Sequence, residues 1–172
     1  SLLSNGKSFD EQTRYQIYQD IYNDSVWLNN LVENLLYATR IEEGRMVLNT
    51  STELLADVID DAVRHVKQHS GEHSIFVESD DEYILVTADA RLIVQVIINI
   101  VDNAVRYTPP GSHITIRSCR ENNMAVVYIE DNGNGISDED KEHVFDKFYS
   151  GTNRIADNRR SIGLGLYLCK AI

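Results

Sequence analysis

Apolar residues recur with two different rhythms along this chain. From 8 to 43 the spacing is helical. Ile17, Ile21, Leu28, Leu31, Leu35 and Ala38 return at three- and four-residue intervals, broken only at Asp24, as in an amphipathic or coiled-coil helix. Ser8 and Glu11 form a capping box at its start. Tyr18, Ser25, Val32 and Thr39 flank the seam, while Glu33, Arg40 and Glu42 lie off it. A helix of this length cannot bury its stripe alone, and only Ser1–Asn5 and a turn at Gly6 precede it. The pattern predicts a partner helix, from another chain or from sequence outside this one; packing on its own domain is the alternative.

From about Arg45 the rhythm becomes mixed. Thr50-Ser51-Thr52 suits a helix cap, ahead of a face made by Leu55, Val58, Ile59, Ala62, Val63 and Val66. Ile75–Val77 and Tyr83–Val86 read as short strands. Asp89 is placed to cap a strongly apolar helix that runs to Tyr107 and stops at Thr108-Pro109-Pro110-Gly111. Ile114–Cys119 and Met124–Glu130 form a hairpin about Glu121-Asn122-Asn123. A helix over Asp138–Phe145 follows. Residues 149–162 show no periodicity, and a last helix opens near Gly163. Such a chain predicts an α+β fold behind one long helix, with no internal repeat.

Composition narrows the chemistry. A net charge of −11 argues against broad nucleic-acid binding through counterion release, but not against a nucleotide, which needs only local cations. The two cysteines, Cys119 and Cys169, form no C-x-x-C pair, which favours a reducing compartment and small core residues. No run reaches the roughly 18 apolar residues of a membrane span.

Residues 130–137, Glu-Asp-Asn-Gly-Asn-Gly-Ile-Ser, first suggest a calcium loop. With Gly135 at the sixth position, the twelfth falls on Lys141, a cation where a bidentate Glu is required. The calcium reading fails there. No G-x-x-x-x-G-K-[ST] is present, and Gly163-x-Gly165 lacks the third glycine of a dinucleotide turn.

Four other elements remain. Asn99, Asn103 and Arg106 make one polar stripe on the apolar helix, suited to a hydrated Mg²⁺ and bridged phosphates or to a buried hydrogen-bond network. Asp131-x-Gly133-x-Gly135 follows a strand, where a carboxylate can accept from an exocyclic amine and glycines admit a flat ring; a plain tight turn is the alternative. Phe145-Asp146-Lys147-Phe148 precedes an irregular stretch with Arg154, Arg159 and Arg160, fit for a phosphate-closing lid. Gly163-Leu164-Gly165-Leu166 opens a helix whose free N–H groups can meet an anion.

In this order and spacing, these elements resemble the ATP-binding domain of sensor histidine kinases, in the superfamily shared with gyrase, Hsp90 and MutL. The segment "LVENLLYATRIEEG" (31–44) resembles the second helix of the dimerisation and phosphotransfer hairpin in those kinases, most nearly of the potassium-responsive Kdp type. The resemblance implies a two-layer α/β sandwich over 44–172, C-terminally incomplete, with residues 1–43 a remnant of the hairpin. It implies ATP and Mg²⁺ as ligands. Asn103 would ligate the metal with Asn99 assisting, Arg106 would face phosphate, and Tyr107 would flank the adenine. Asp131 would bind the adenine amine, Gly133 and Gly135 would line the base pocket, and Gly163 and Gly165 would meet the phosphates. Ile136, Phe148, Arg154, Leu164 and Leu166 complete the expected contacts. No residue is expected to be catalytic in its own right. The implied partners are a second copy, through the N-terminal helix, and the receiver domain of a response regulator. The implied setting is the cytoplasm, in a parent anchored to a membrane.

The chain departs from the family pattern in three places. The acceptor histidine of the family is followed by an acidic residue, whereas His65, His69, His73, His113 and His143 are followed by Val, Ser, Ser, Ile and Val. The acceptor is therefore expected upstream, with Ser1-Leu2-Leu3-Ser4 the tail of its helix, and autophosphorylation in isolation is not expected. Ser161 and Ile162 stand where the family often has glycine and a small residue, and Ile172 stops inside a helix. Two other functions stay open: an interaction module with a degenerate nucleotide site, and an ATPase of the Hsp90 or MutL kind using an acid such as Asp102.

Overall fold

The first helix, α1, spans Glu11–Glu42. In this computed structural model, which describes residues 10–151 and 162–172, its N-cap is Asp10, whose carboxylate accepts from the Thr13 N–H at 2.6 Å. Ser8, expected as the cap, lies outside the described residues. The helix ends in a Schellman turn: Gly44, at φ +62°, donates to the Ile41 carbonyl, and Arg45 donates to that of Arg40.

The predicted α1 seam divides into two. Leu31 and Ala38 turn inward with Trp27, Asn34, Tyr37 and Ile41, and α1 packs on the rest of its own chain, chiefly the C-terminal helix. Ile21, Leu28, Val32 and Leu35 stay about half exposed. The alternative expectation, packing on its own domain, thus holds for one face of the helix.

After α1 come β1 (Ser51–Leu54), α2 (Leu55–Lys67), β2 (Ser74–Ser79), β3 (Leu85–Ala88) and α3 (Ala90–Tyr107). They are followed by β4 (His113–Glu121), β5 (Met124–Asp131), α4 (Asp138–Lys141) and α5 (Gly165–Ala171). Strands β2, β4 and β5 form one sheet in that order, parallel then antiparallel. The antiparallel pair β1–β3 forms a second.

Helices α2 and α3 cover the three-stranded sheet. All six predicted face residues of α2 are buried; Leu55, Ile59, Ala62, Val63 and Val66 share one core cluster with Ile97, Ile98, Val101 and Ala104 of α3 and Ile114 and Ile116 of the central strand. This is the expected two-layer α+β sandwich. The hairpin turn is also as expected. Asn122 and Asn123 both adopt left-handed φ (48° and 65°), the pair of values a two-residue type I′ turn requires.

Other details differ from expectation. Thr50-Ser51-Thr52 does not cap α2. Ser51 and Thr52 belong to β1, paired with Ala88 and Thr87, and α2 starts from Leu54 with no side-chain cap. Asp89 precedes α3 without a side-chain cap bond; its carboxylate accepts instead from the Asn49 N–H at 2.9 Å. The helix expected over 138–145 ends at Lys141, because His143 and Asp146 donate three residues back and the chain tightens into successive turns.

Candidate functional site

Helix period fixes the first part of the site. Asn99, Asn103 and Arg106 lie on one face of α3, with Tyr107 beside them, and all four line a cleft of about 1240 Å³. Asp131 lines it from the end of β5, Gly135 and Ile136 from the turn that follows, and Gly163, Leu164, Gly165 and Leu166 from the start of α5. Three stretches far apart in sequence therefore meet in one place. Trp27, Asn30, Leu31 and Asn34 of α1 form a further wall.

The turn after β5 is built to hold its shape. Asp131 Oδ1 accepts from the Gly133 N–H at 2.9 Å, and Asn132 Oδ1 accepts from the His113 N–H at 2.8 Å. Gly133 does not line the cleft. A Cβ there would stand 2.6 Å from Thr108 Cγ2, so its role is close packing against the end of α3. Thr108 is itself fixed by donating to the Ala104 carbonyl at 2.7 Å and by His73 Nε2 at 3.0 Å. Gly135 has φ +71°, a conformation glycine adopts without strain.

Gly163 has two reasons to be glycine. Its φ is +69°, and a Cβ would lie 2.2 Å from the Tyr149 carbonyl oxygen. The Phe148 N–H donates to the Gly163 carbonyl at 3.0 Å, so the chain segments either side of 152–161 run against each other. Phe148 itself does not line the cleft. Lys147 Nζ lies 5.1 Å from its ring centroid and 6.0 Å from that of Tyr167 while pairing with Glu42 of α1. Arg154, Arg159 and Arg160 lie outside the described residues.

Buried polar groups mark the cleft floor. Asn99 is 7% exposed; its Nδ2 is sealed from solvent and its side chain lies against the Cys169 thiol. Asn103 and Arg106 line the cleft, and an amide beside a guanidinium suits the polyphosphate of a nucleotide. Cys169 lies close by, and burial pushes its thiol up to about 11, against smaller opposing effects of Asn99 and a backbone N–H. It stays a protonated, unreactive thiol at neutral pH. At the rim, His69 Nε2 stands 3.0 Å from Asp102 Oδ1. That hydrogen bond raises the His69 pKa above 6.5, with partial burial opposing it.

Comparison with known proteins agrees with this geometry. The family described as histidine kinase-, DNA gyrase B- and HSP90-like ATPase matches residues 88–172. A sensor protein KdpD of Clostridium acetobutylicum is 38% identical over all 172 residues of this chain, which spans 19% of that protein's length. Residues 88–172 belong to this ATPase family, as an ATP-binding domain of the sensor histidine kinase type. Among solved structures, the Acinetobacter baumannii histidine kinase AdeS shares its fold over 99% of this chain and 76% of its own, with a TM-score of 0.70 at 24% identity. Histidine kinase ThkA in complex with the response regulator protein TrrA aligns with 94% of this chain and 44% of its own, with a TM-score of 0.65 at 25% identity.

Within this sensor-kinase ATP-binding domain, sequence reasoning overlooked Asn34, Gln95, His69 and Thr108. Asn34 and Gln95 carry only the signal of polarity at helix positions, indistinguishable from a solvated face without the fold, and His69 and Thr108 lie just past the ends of α2 and α3, where a polar residue reads as an ordinary helix stop. Among the described residues, no helix is long and apolar enough to cross a membrane.

Proposed function

We propose that this domain binds ATP with Mg²⁺ in the α3–α5 cleft and delivers the γ-phosphate to a histidine imidazole outside residues 1–172. The observation that carries this reading is the convergence of the α3 stripe, the turn after β5 and the start of α5 on one cleft. Asn103 is the metal ligand in this reading, Arg106 faces phosphate, and Asp131 accepts from the adenine amine beside Gly135 and Tyr107. Bound ATP·Mg²⁺ supplies the electrophilic phosphorus and part of the charge neutralisation; the chain supplies position and counter-charge. A neutral imidazole is already nucleophilic, so no general base is required of this chain. In isolation the domain binds nucleotide without autophosphorylating.

Residues 1–43 would be the second helix of a dimerisation and phosphotransfer hairpin, and 44–172 the nucleotide domain. The exposed positions of α1 support a homodimer. Tyr18, Ile21, Ser25, Leu28, Val32, Leu35 and Thr39 alternate at three and four residues, and all lie on the exposed side of the helix. A response-regulator receiver domain is the proposed second partner, supported by the ThkA–TrrA complex. ATP as substrate and two free thiols favour the cytoplasm, in a parent attached to a membrane. The test is calorimetric titration of ATP·Mg²⁺ into the parent chain and Asn103→Ala. Affinity should fall by roughly tenfold or more with a lost charge-assisted contact; equal affinity would sink the assignment.

A further inference from the structure

Asp140 is only 6% exposed, yet it lines the cleft that Asn103 and Arg106 suit to an anion. By charge alone a carboxylate there opposes polyphosphate, so its use lies in what it holds. Asp140 Oδ1 accepts from the Tyr149 hydroxyl at 2.7 Å, and Oδ2 accepts from the Ser137 hydroxyl at 2.8 Å. Ser137 Oγ in turn accepts from the Asp140 N–H at 3.1 Å and so caps α4. The bond to Asp140 raises the pKa of the Tyr149 phenol above its ordinary value, so the phenol keeps its proton and donates at neutral pH. A Cβ on Gly151 would stand 3.2 Å from Asp140 Cγ and Oδ1; the chain passes close over the carboxylate.

Tyr149 carries this anchorage to another wall of the cleft. Its carbonyl oxygen lies where a Cβ on Gly163 would come within 2.2 Å. The neighbouring Phe148 N–H donates to the Gly163 carbonyl at 3.0 Å. The main chain at 148–149 therefore sets where Gly163 stands, and Gly163 begins the cleft wall that continues to Leu166.

We propose that Asp140 and Tyr149 are positioning residues of the nucleotide site, whose hydrogen bond holds the Tyr149 main chain, and through it Gly163, at the spacing the polyphosphate requires. This rests on the reading of the cleft as a nucleotide site with Gly163 at its phosphate end. The base end is fixed by other bonds, those of Asp131 and Asn132. Loss of the Asp140–Tyr149 bond therefore weakens phosphate binding selectively.

The test uses the whole chain with ADP and with adenosine, at a temperature well below unfolding. Tyr149→Phe removes only the hydroxyl. ADP affinity should fall at least about fivefold, part of the effect of one hydrogen bond to a charged group, while adenosine affinity is unchanged. Tyr128→Phe removes the same kind of bond, to Glu121 at 2.7 Å, from a residue that does not line the cleft; both affinities should stay at the parent value. Asp140→Ala should lower ADP affinity at least as far as Tyr149→Phe, although it takes a negative charge out of the cleft. The double variant should bind ADP no more weakly than Asp140→Ala, because both changes break one bond. If Asp140→Ala does not fold, Tyr149→Phe against Tyr128→Phe decides alone. The positioning role is overturned if Tyr149→Phe binds ADP as well as Tyr128→Phe does, if adenosine loses as much as ADP, or if Asp140→Ala binds ADP more tightly. Should Asn103→Ala still lose ATP·Mg²⁺ in that event, the nucleotide site stands. If the parent binds no nucleotide, both readings fail.

Discussion

Two helical regions of this chain carry periodic apolar stripes, weak along α1 and strong along α2 and α3, and the stripes have opposite fates. The α2–α3 layer closes its stripe completely over the sheet. Ile59, Val66, Val101, Ile114 and Ile116 are all less than 2% exposed. Helix α1 is far longer, yet Ala38 is its only buried residue among those described. It rests on the nucleotide domain through one face, with an amide network at Asn34 and a Glu42–Lys147 pair, while its other face stays open. The difference teaches that apolar periodicity measures a capacity for burial, not burial itself. A layer with its partner in the same domain is a permanent core. A helix with two half-committed faces can exchange one neighbour for another at modest cost.

The comparison breaks most decisively at the core. Ile116 sits fully buried at the centre of β4, paired with Val77 on one side and Ile129 on the other. Ile116→Ala should destabilise the domain by about 2–5 kcal/mol, from lost transfer energy and the cavity left behind. Denaturant unfolding measures this, and a loss below about 1 kcal/mol would mean the α2–α3 layer is not the dominant core.

The opposite behaviour is expected on α1. Leu28 and Leu35 are 53% and 50% exposed, so Leu28→Glu with Leu35→Glu should leave unfolding within about 1 kcal/mol of the parent, as exposed substitutions do. Sedimentation should nevertheless show loss of self-association. A double variant that still dimerises would rule out the exposed seam as the dimer face.

These contrasts also explain what the sequence could disclose. The six inward positions of α2 and the Asn99–Asn103–Arg106 stripe were legible because one local period fixes them. The Asn122-Asn123 turn was legible because its residue type matches its backbone. Strand β1 was hidden, since Ser51 and Thr52 read as a cap until β3 arrives from more than thirty positions away to pair with them. The inward role of Asn34 was hidden for a related reason, being polar where the seam predicted solvent. Gly163 carried a visible signal with an unexpected main cause: its missing Cβ makes room for the Tyr149 carbonyl, and contact with phosphate remains a separate proposal.

The smallest expected effect lies between the two regions, at the rim of the cleft. His69 follows the end of α2 and reaches Asp102 on α3, so it ties the permanent core to the site that α1 walls. Its pKa is raised in the folded state by that hydrogen bond, partial burial and the Arg106 charge opposing. A raised folded-state pKa stabilises the fold fully below the unfolded value of about 6.5, and the contribution fades as pH climbs through the raised value. His143 shifts in the same direction through Asp146, so the parent's slope alone does not isolate His69. The difference between parent and His69→Gln does. Thermal unfolding should show the parent more stable at pH 5.5–6, by a margin that shrinks steadily above pH 6.5. A margin independent of pH would mean that the imidazole acts there through packing, and that its proton plays no part in joining α2 to the nucleotide cleft.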